Sequence, residues 1–340
     1  MTWEVVKQMG LPALILLVGT FLLSALLLHF IIPVLRAKKI GQSIREEGPS
    51  WHQSKAGTPT MGGIGFIMAI LVMLLVFSVV WVARQQNPTE LIPMALALCL
   101  GVAHAMIGFV DDYCKLIKKQ NEGLTAKQKL FLQLFVTAAY LAMMGCTVGL
   151  ETRLSIPFVD GLMGGPLELG WIAYVLYLLV IVGFVNSTNL TDGLDGLAAS
   201  VCSVVCVFMV LTAFRSDSPM LSALATTLLG GMLGFLVYNH HPAKVFMGDT
   251  GSLFLGGLIM GCAIMQGQLL VFVLAGFVFV IEMLSTLLQV VFFKLTHGKR
   301  IFKMAPLHHH FEKCDWTEWP IVGLFVGVSV LFCVAAWFAS

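Results

Sequence analysis

Charge is what this chain has least of. Only 11% of its 340 residues are Asp, Glu, Lys or Arg, while 58% are hydrophobic and the mean hydropathy is +0.92. A soluble domain carries about 25% charged and about 45–50% apolar residues, so an ordinary soluble globule is excluded. The net charge of +2 is small and scattered, which excludes a nucleic-acid footprint. The eight cysteines contain no C-x-x-C pair and lie mostly inside apolar runs, so they read as small buried hydrophobes rather than a disulfide framework. Residues 11–35 lack a small-residue cleavage site and end in Arg36, Lys38 and Lys39. They read as a retained first span, not a secretory signal.

What is present is a chain suited to lipid. At about 20 apolar residues per span, ten stretches can be placed, each to within several residues: 11–34, 61–83, 91–110, 129–149, 170–187, 194–214, 219–238, 250–265, 269–293 and 319–339. This predicts an all-α polytopic membrane protein, with residues 1–340 forming a single integral membrane domain. The ninth stretch is too long for one upright span and carries Glu282 in its middle. It is expected to bend, tilt or protrude from the bilayer.

Basic residues set the expected orientation. Loops that follow odd-numbered spans hold 16 of the 20 Lys and Arg residues, in the groups Arg36 to Lys55, Lys115 to Lys129, Lys244, and Lys294 to Lys313. The other side holds Lys7, Arg84, Arg153 and Arg215. The positive-inside rule puts the odd-to-even loops in the cytoplasm and both termini outside. Within external residues 150–169, an alternating Arg153-Leu154-Ser155-Ile156 and the later Asp160-Gly161 predict a small β-hairpin.

Acidic residues are scarce, so their positions carry information. Asp111 and Asp112 close the third span, Asp192 and Asp195 stand between spans five and six, and Asp249 opens span eight. All fall at one membrane boundary. Hard oxygen ligands from several elements at one interface suit Mg²⁺, which takes one or two carboxylates and leaves its other positions to water and substrate phosphate. A solvated helix end is the competing reading of Asp111-Asp112. A carboxylate pair at a helix C-terminus, however, opposes the macrodipole unless a cation such as Lys115 offsets it.

Asn186 to Leu197 joins two spans with two Asn, two Asp and two Gly. A tight turn capped by Thr191 or Asp192 needs fewer polar groups, and polar backbone at membrane depth belongs where it lines a wet cavity. Tyr238 to Ser252 resembles a phosphate-cradling approach to a helix, with Gly248 and Gly251 admitting a ligand to the backbone. It is no P-loop, because the spacing and the Lys-Ser/Thr end are absent; Asp249 as a simple helix cap is the alternative. Lys55 in the first cytoplasmic loop is a candidate phosphate cation or a solvated bystander. The consecutive His308, His309 and His310 cannot all point one way, so a three-His zinc site is not expected. Contacts to an anionic headgroup compete with interfacial packing there. Glu282, an intramembrane charge, is either functional or half of a buried pair.

Taken together and in order, several segments resemble the phospho-N-acetylmuramoyl-pentapeptide transferases, within the polyprenyl-phosphate N-acetylhexosamine-1-phosphate transferase superfamily. They are Arg45-Glu46 with Gly48-Pro49, His52 and Lys55; Gly57 to Gly63; Asp111-Asp112 with Lys115; Gly123-Leu124-Thr125 with Gln128-Lys129; Asn189 to Gly196; Phe246 to Ser252; and Pro306 to Glu312. The resemblance covers essentially the whole chain. It implies a ten-span inner-membrane enzyme with periplasmic termini, a homodimer, and Mg²⁺ as cofactor. The implied reaction moves phospho-MurNAc-pentapeptide from UDP-MurNAc-pentapeptide to undecaprenyl phosphate, giving lipid I and UMP.

On that basis Asp249 is the expected Mg²⁺ ligand. Asp111, Asp112, Asp249 and His308 are the candidate catalytic residues, Asp111 binding or deprotonating the lipid phosphate. Lys55, Thr60, Asn189, Asp192, Asn239, Phe246, Gly248, Gln289, His309 and His310 are the candidates for binding substrate. A direct transfer and a two-step route through a covalent Asp phosphate both remain open. The rival readings are a UDP-GlcNAc-dependent sister transferase, disfavoured by the Pro306 to Glu312 segment, and a secondary transporter. The transporter reading is disfavoured because the Asp-rich segments do not recur between the two halves.

Overall fold

The computed structural model describes residues 3–37, 57–118 and 123–340. Within them lie ten helices long and apolar enough to cross a membrane, one for each stretch read from the sequence. They are α1 (Trp3–Ala37), α2 (Gly63–Ala83), α3 (Leu91–Lys118), α4 (Ala126–Thr147), α6 (Ile172–Thr191), α7 (Leu197–Arg215), α8 (Pro219–Asn239), α9 (Gly248–Met265), α11 (Phe277–Leu295) and α13 (Glu318–Ala339). Short helices α5 (Asp160–Met163), α10 (Leu269–Ala275) and α12 (Leu307–Glu312) complete the set. The long ninth stretch is broken at Gly276 into α10 and α11, so of the bend, tilt or protrusion expected from its length a break in the helix is what forms. The predicted hairpin is a two-residue pairing of β1 (Arg153–Leu154) with β2 (Leu167–Glu168), antiparallel, with α5 between them.

Two helices form the centre. Along α8 and α9 most residues are buried, whereas α1, α2, α4, α11 and α13 bury only a minority of theirs. The outward faces carry Leu22, Leu75, Phe135 and Phe338, surface that water would penalise and acyl chains tolerate. α1 and α7 pack on α8, and α3 and α6 pack on α9.

The α3–α9 contact is built on small residues, as membrane helices with no hydrophobic force between them require. A Cβ on Gly257 would lie 3.1 Å from the Gly101 Cα, and one on Gly261 would lie 2.9 Å from the Ala97 Cα. At Gly108 a Cβ would overlap the Asp249 carbonyl. On the other side of α9, a Cβ on Gly256 would come within 2.6 Å of both the Val185 Cα and the Thr188 Oγ1 of α6. The same central helix therefore holds α3 and α6 at near-backbone distance. Its first turn lies beside the residues that follow Gly108 and Thr188.

Candidate active site

One turn beyond Gly108 come Asp111 and Asp112. The sequence reading ended the third span there, but α3 continues to Lys118. The pair thus sits inside a helix, with Lys115 one turn on to supply the offsetting cation: Lys115 Nζ lies 2.6 Å from Asp111 Oδ2.

Asp112 is buried and reaches across to α9. Its Oδ1 accepts the Asp249 N–H (3.2 Å), and its Oδ2 accepts both the N–H (3.0 Å) and the hydroxyl (2.7 Å) of Thr250. These amides are the orphan donors of a helix start, and no side chain of α9's own N-cap residue, Met247, satisfies them. The cap comes from another helix, and Asp249 is left free of that role.

Asp249 instead faces a ring of donors. Lys129 Nζ is 2.8 Å and Lys115 Nζ 3.1 Å from its Oδ2, and Asn189 Nδ2 donates to its Oδ1 (2.9 Å). Asn189 is itself fixed by donating to Ser252 Oγ (2.8 Å). Lys129 is placed by local sequence. Thr125 and Gln128 form a reciprocal capping box at the start of α4, and Asp111 Oδ1 accepts the Leu124 N–H (2.7 Å) just before it. Carboxylate oxygens of Asp111, Asp112 and Asp249 all lie within 4.8 Å of one another.

Two loops close the surroundings. Residues 59–63 pair with 246–247 through Phe246 N–H to Pro59 O (2.8 Å), Gly62 N–H to Phe246 O (2.8 Å) and Gly63 N–H to Met247 O (3.0 Å). Thr60 thereby comes beside Gly248 and Asp112. The Thr60 hydroxyl is buried with no hydrogen-bond partner among the described residues. Gly248 has φ +70°, and a Cβ there would lie 2.6 Å from Asp112 Oδ2, so this position needs glycine twice over.

The Asp192–Gly196 turn follows α6. Neither Thr191 nor Asp192 caps α7; its N-cap is Gly196 at φ +74°, with no side-chain cap bond. The turn is held by Asn239, whose Oδ1 accepts the Gly196 N–H (3.1 Å) and whose Nδ2 donates to Val245 O (2.9 Å). Burial, with the charges of Asp249, Asp112 and Asp195 adding to it, pushes the Asp192 carboxyl up to about 8. Asp195 turns away from this cluster: its Oδ2 accepts the Ala243 N–H (2.9 Å) and lies 3.0 Å from His241 Nδ1.

The three histidines do diverge. His308 Nδ1 is 2.8 Å from Glu282 Oε2, His309 Nδ1 is 2.6 Å from Glu312 Oε2, and His310 Nδ1 accepts the Lys303 N–H (3.1 Å). Of these, His308 faces the site, its ring against Gly193 beside Asp192. Gln289 holds the segment after α11, its Oε1 accepting the N–H of Ile301 and of Phe302 (both 3.0 Å).

The structure thus joins Asp111, Asp112, Asp249 and Asn189 directly, and sets Thr60 and Gly248 alongside them. Asn239 and Phe246 brace the loops, while Gln289 bonds Ile301 and Phe302, His309 bonds Glu312 and His310 bonds Lys303. Lys55 lies outside the described residues. Lys129 is absent from the residues the sequence singles out as candidates. The signal for Lys129 was a lysine within the first turn of an otherwise apolar span, facing the acids of another.

A bundle of ten apolar helices with buried carboxylates, ammonium groups and a glycine-rich helix start gathered at one end defines an integral membrane protein built to handle a phosphorylated ligand at the bilayer edge. The sequence profile of glycosyl transferase family 4 matches residues 94–267. A phospho-N-acetylmuramoyl-pentapeptide-transferase of Bacillus subtilis (strain 168) is 44% identical over 315 residues, covering 92% of this chain and 93% of that protein. One from Halalkalibacterium halodurans is 43% identical over 324 residues, 95% and 96% of the two chains. The chain belongs to glycosyl transferase family 4 and to the phospho-N-acetylmuramoyl-pentapeptide-transferases.

Proposed function

We propose that this protein transfers phospho-MurNAc-pentapeptide from UDP-MurNAc-pentapeptide to undecaprenyl phosphate, forming lipid I and releasing UMP. The observation that carries the reading is the convergence of Asp111, Asp112 and Asp249 with Lys115 and Lys129 at one end of the bundle, in a chain so similar to named transferases. One substrate is a water-soluble nucleotide and the other a lipid phosphate, so they can meet only at the membrane boundary. With 16 of 20 basic residues on that side, the boundary is the cytoplasmic face of the inner membrane, and both termini lie outside. The whole chain acts as one catalytic unit, and family resemblance supports a homodimer.

The donor set fits Mg²⁺: three carboxylates close enough to share an ion, in a setting where two ammonium groups already hold the space beside Asp249. Asp249 and Asp111 would hold the ion, since Asp112 is committed to capping α9. When bound, Mg²⁺ supplies charge neutralisation on the diphosphate and its leaving oxygen.

The chain's own residues position the reactants and balance charge, which is most of what phosphoryl transfer asks of a protein. Lys115 and Lys129 offset the carboxylates and are placed to meet phosphate oxygens. Asn189 and Ser252 fix the Asp249 carboxylate, and Asp111 orients the lipid phosphate. A phosphate with a second pKa near 6 is already largely ionised at neutral pH, so Asp111 has little need to act as a base. An oxygen of the lipid phosphate bonds to the sugar-linked phosphorus as that phosphorus loses its bond to the UMP oxygen.

The test is UMP release by purified protein in detergent with both substrates and Mg²⁺, beside Asp249→Ala. Mg²⁺-dependent release that the substitution abolishes is expected. A folded sample that releases UMP from UDP-GlcNAc instead would overturn the choice of sugar.

A further inference from the structure

Glu282 is the charge the proposed chemistry leaves unused. It stands in the first half of α11, fully buried, and among the described residues no lysine or arginine pairs with it. Both its oxygens go to one residue. Oε1 accepts the His308 N–H (3.2 Å) and Oε2 faces His308 Nδ1 at 2.8 Å. A buried carboxylate is costly unless it is fully hydrogen-bonded, and here the backbone and ring of His308 supply the bonds.

The ring's other nitrogen is the informative one. His308 Nε2 is buried and has no hydrogen-bond partner among the described residues. It abuts Gly193, where any Cβ would collide with it, next to Asp192 in the turn that borders the acidic cluster. A carboxylate oxygen at 2.8 Å places a proton on Nδ1, so Nε2, against Gly193, is the atom left with its hydrogen bond unspent. Buried polar atoms are rarely left this way without a functional reason.

We propose that Glu282 is a positioning residue. It fixes the tautomer and direction of His308 so that Nε2, the ring's unprotonated acceptor, is presented at the Asp192–Gly193 turn to a hydroxyl group of the bound phosphosugar substrate. The inference rests on the transferase reading above. It goes beyond that reading by assigning the intramembrane acid a role, that of a carboxylate orienting an imidazole from behind, as in hydrolytic triads.

Glu282→Gln separates this role from simple packing. Glutamine keeps the shape but has one acceptor for two donors. The backbone N–H of His308 cannot change, so the amide oxygen must serve it, and the amide NH₂ then confronts Nδ1. The imidazole can relieve that conflict only by moving its proton to Nε2, which reverses the hydrogen-bonding sense of the atom facing substrate.

The expected result is a fall in kcat of about 100-fold or more, the scale of losing a well-oriented acid–base group, with KM within about threefold. His308→Gln added to Glu282→Gln should cost no more than about threefold further, because the two residues act as a unit. In ¹⁵N-histidine-labelled protein, the His308 signals (assigned by their loss in His308→Gln) should show Nδ1 protonated in the parent and the proton on Nε2 in Glu282→Gln. If Glu282→Gln does not fold, Gly193→Ala serves instead. Its backbone tolerates alanine, its Cβ displaces the ring, and its loss should likewise not multiply with His308→Gln. A Glu282→Gln enzyme with unchanged kcat, losses that multiply, or a parent His308 with a bare Nδ1 would each overturn the proposal. If the parent releases no UMP, the transferase reading fails, while the spectra still judge Glu282 by themselves.

Discussion

Asp111 and Asp112 are neighbours on α3, yet they tie down two different helices. Asp111 accepts the Leu124 N–H ahead of α4, while Asp112 accepts two backbone N–H groups and a hydroxyl in the first turn of α9. Consecutive residues on a helix point about 100° apart, so a pair at one point in sequence can serve two partners. The carboxylate that looks most like half of a catalytic pair is thus also an architectural cap.

This division predicts different losses for the two alanine variants. Asp112→Ala strips the N-terminal amides of α9 of their acceptor in a buried setting, which should cost ~1–3 kcal/mol. Asp111→Ala removes one acceptor and leaves Lys115 its second partner, Asp249, so its cost should be smaller. Both should lose UMP release, but only Asp112→Ala should show a clear drop in apparent melting temperature in detergent. Equal drops would contradict the assignment.

Much of the fold was legible in the sequence because lipid leaves a chain little freedom. Ten apolar runs had to become ten helices, and all ten did. A run too long for one span signals that the ninth stretch cannot be one upright helix, but not that it breaks at Gly276. The site was legible as a set of residue types at one boundary, but not as a network. That Asp112 rather than Asp249 caps α9 depends on the α3–α9 contact, which is set by Gly101, Gly108, Gly257 and Gly261, residues far apart in the chain. That Asp195 turns to His241 and Ala243, while Asp192 stays with the cluster, is decided by the turn geometry of Asp192–Gly196. Local patterns do not encode either arrangement. Gln289, His309 and His310 stand out in the sequence as polar residues near that boundary, and only the structure shows Gln289 bonding Ile301 and Phe302, His309 bonding Glu312 and His310 bonding Lys303.

Glycine at the α3–α9 contact should be irreplaceable at one position. At Gly108 a Cβ would overlap the Asp249 carbonyl, which is backbone and cannot step aside, whereas at Gly323 on α13 it would meet open space. Forcing a methyl into such a contact costs about 1–3 kcal/mol. Gly108→Ala should therefore lower the melting temperature and abolish UMP release together, and Gly323→Ala should change neither. A Gly108→Ala protein of normal stability would mean that the helices are not this close.

Metal dependence should be tuned by Lys129. Its ammonium lies 2.8 Å from Asp249 Oδ2, where it neutralises the charge that a divalent ion needs. Lys129→Met removes that competitor, so the Mg²⁺ concentration giving half-maximal activity should fall about tenfold, equivalent to ~1.4 kcal/mol. Chelator-stripped parent enzyme should be inactive until Mg²⁺ is returned. A Mg²⁺ titration of the two proteins decides the matter, and an unchanged or higher requirement in Lys129→Met would place the metal elsewhere.

The Asp192 carboxyl gives the protein a pH dependence of known sign. Burial, together with the nearby Asp249, Asp112 and Asp195, raises its pKa to about 8 from the usual carboxylate range near 4. The folded protein therefore holds a proton that the unfolded chain releases at lower pH. Stability from this group is complete below about pH 4, declines as pH rises, and is lost once pH passes about 8. Asparagine at this position cannot ionise and escapes the decline. Asp192→Asn and the parent should thus melt alike at about pH 4 in metal-free detergent, and at about pH 8.5 the variant should melt higher. The gap should narrow on adding Mg²⁺, because a cation beside Asp249 weakens the repulsion that opposes ionisation of Asp192. A variant that melts lower than the parent at the alkaline pH would show instead that the ionised Asp192 is stabilising, held by a partner that outweighs its acidic neighbours.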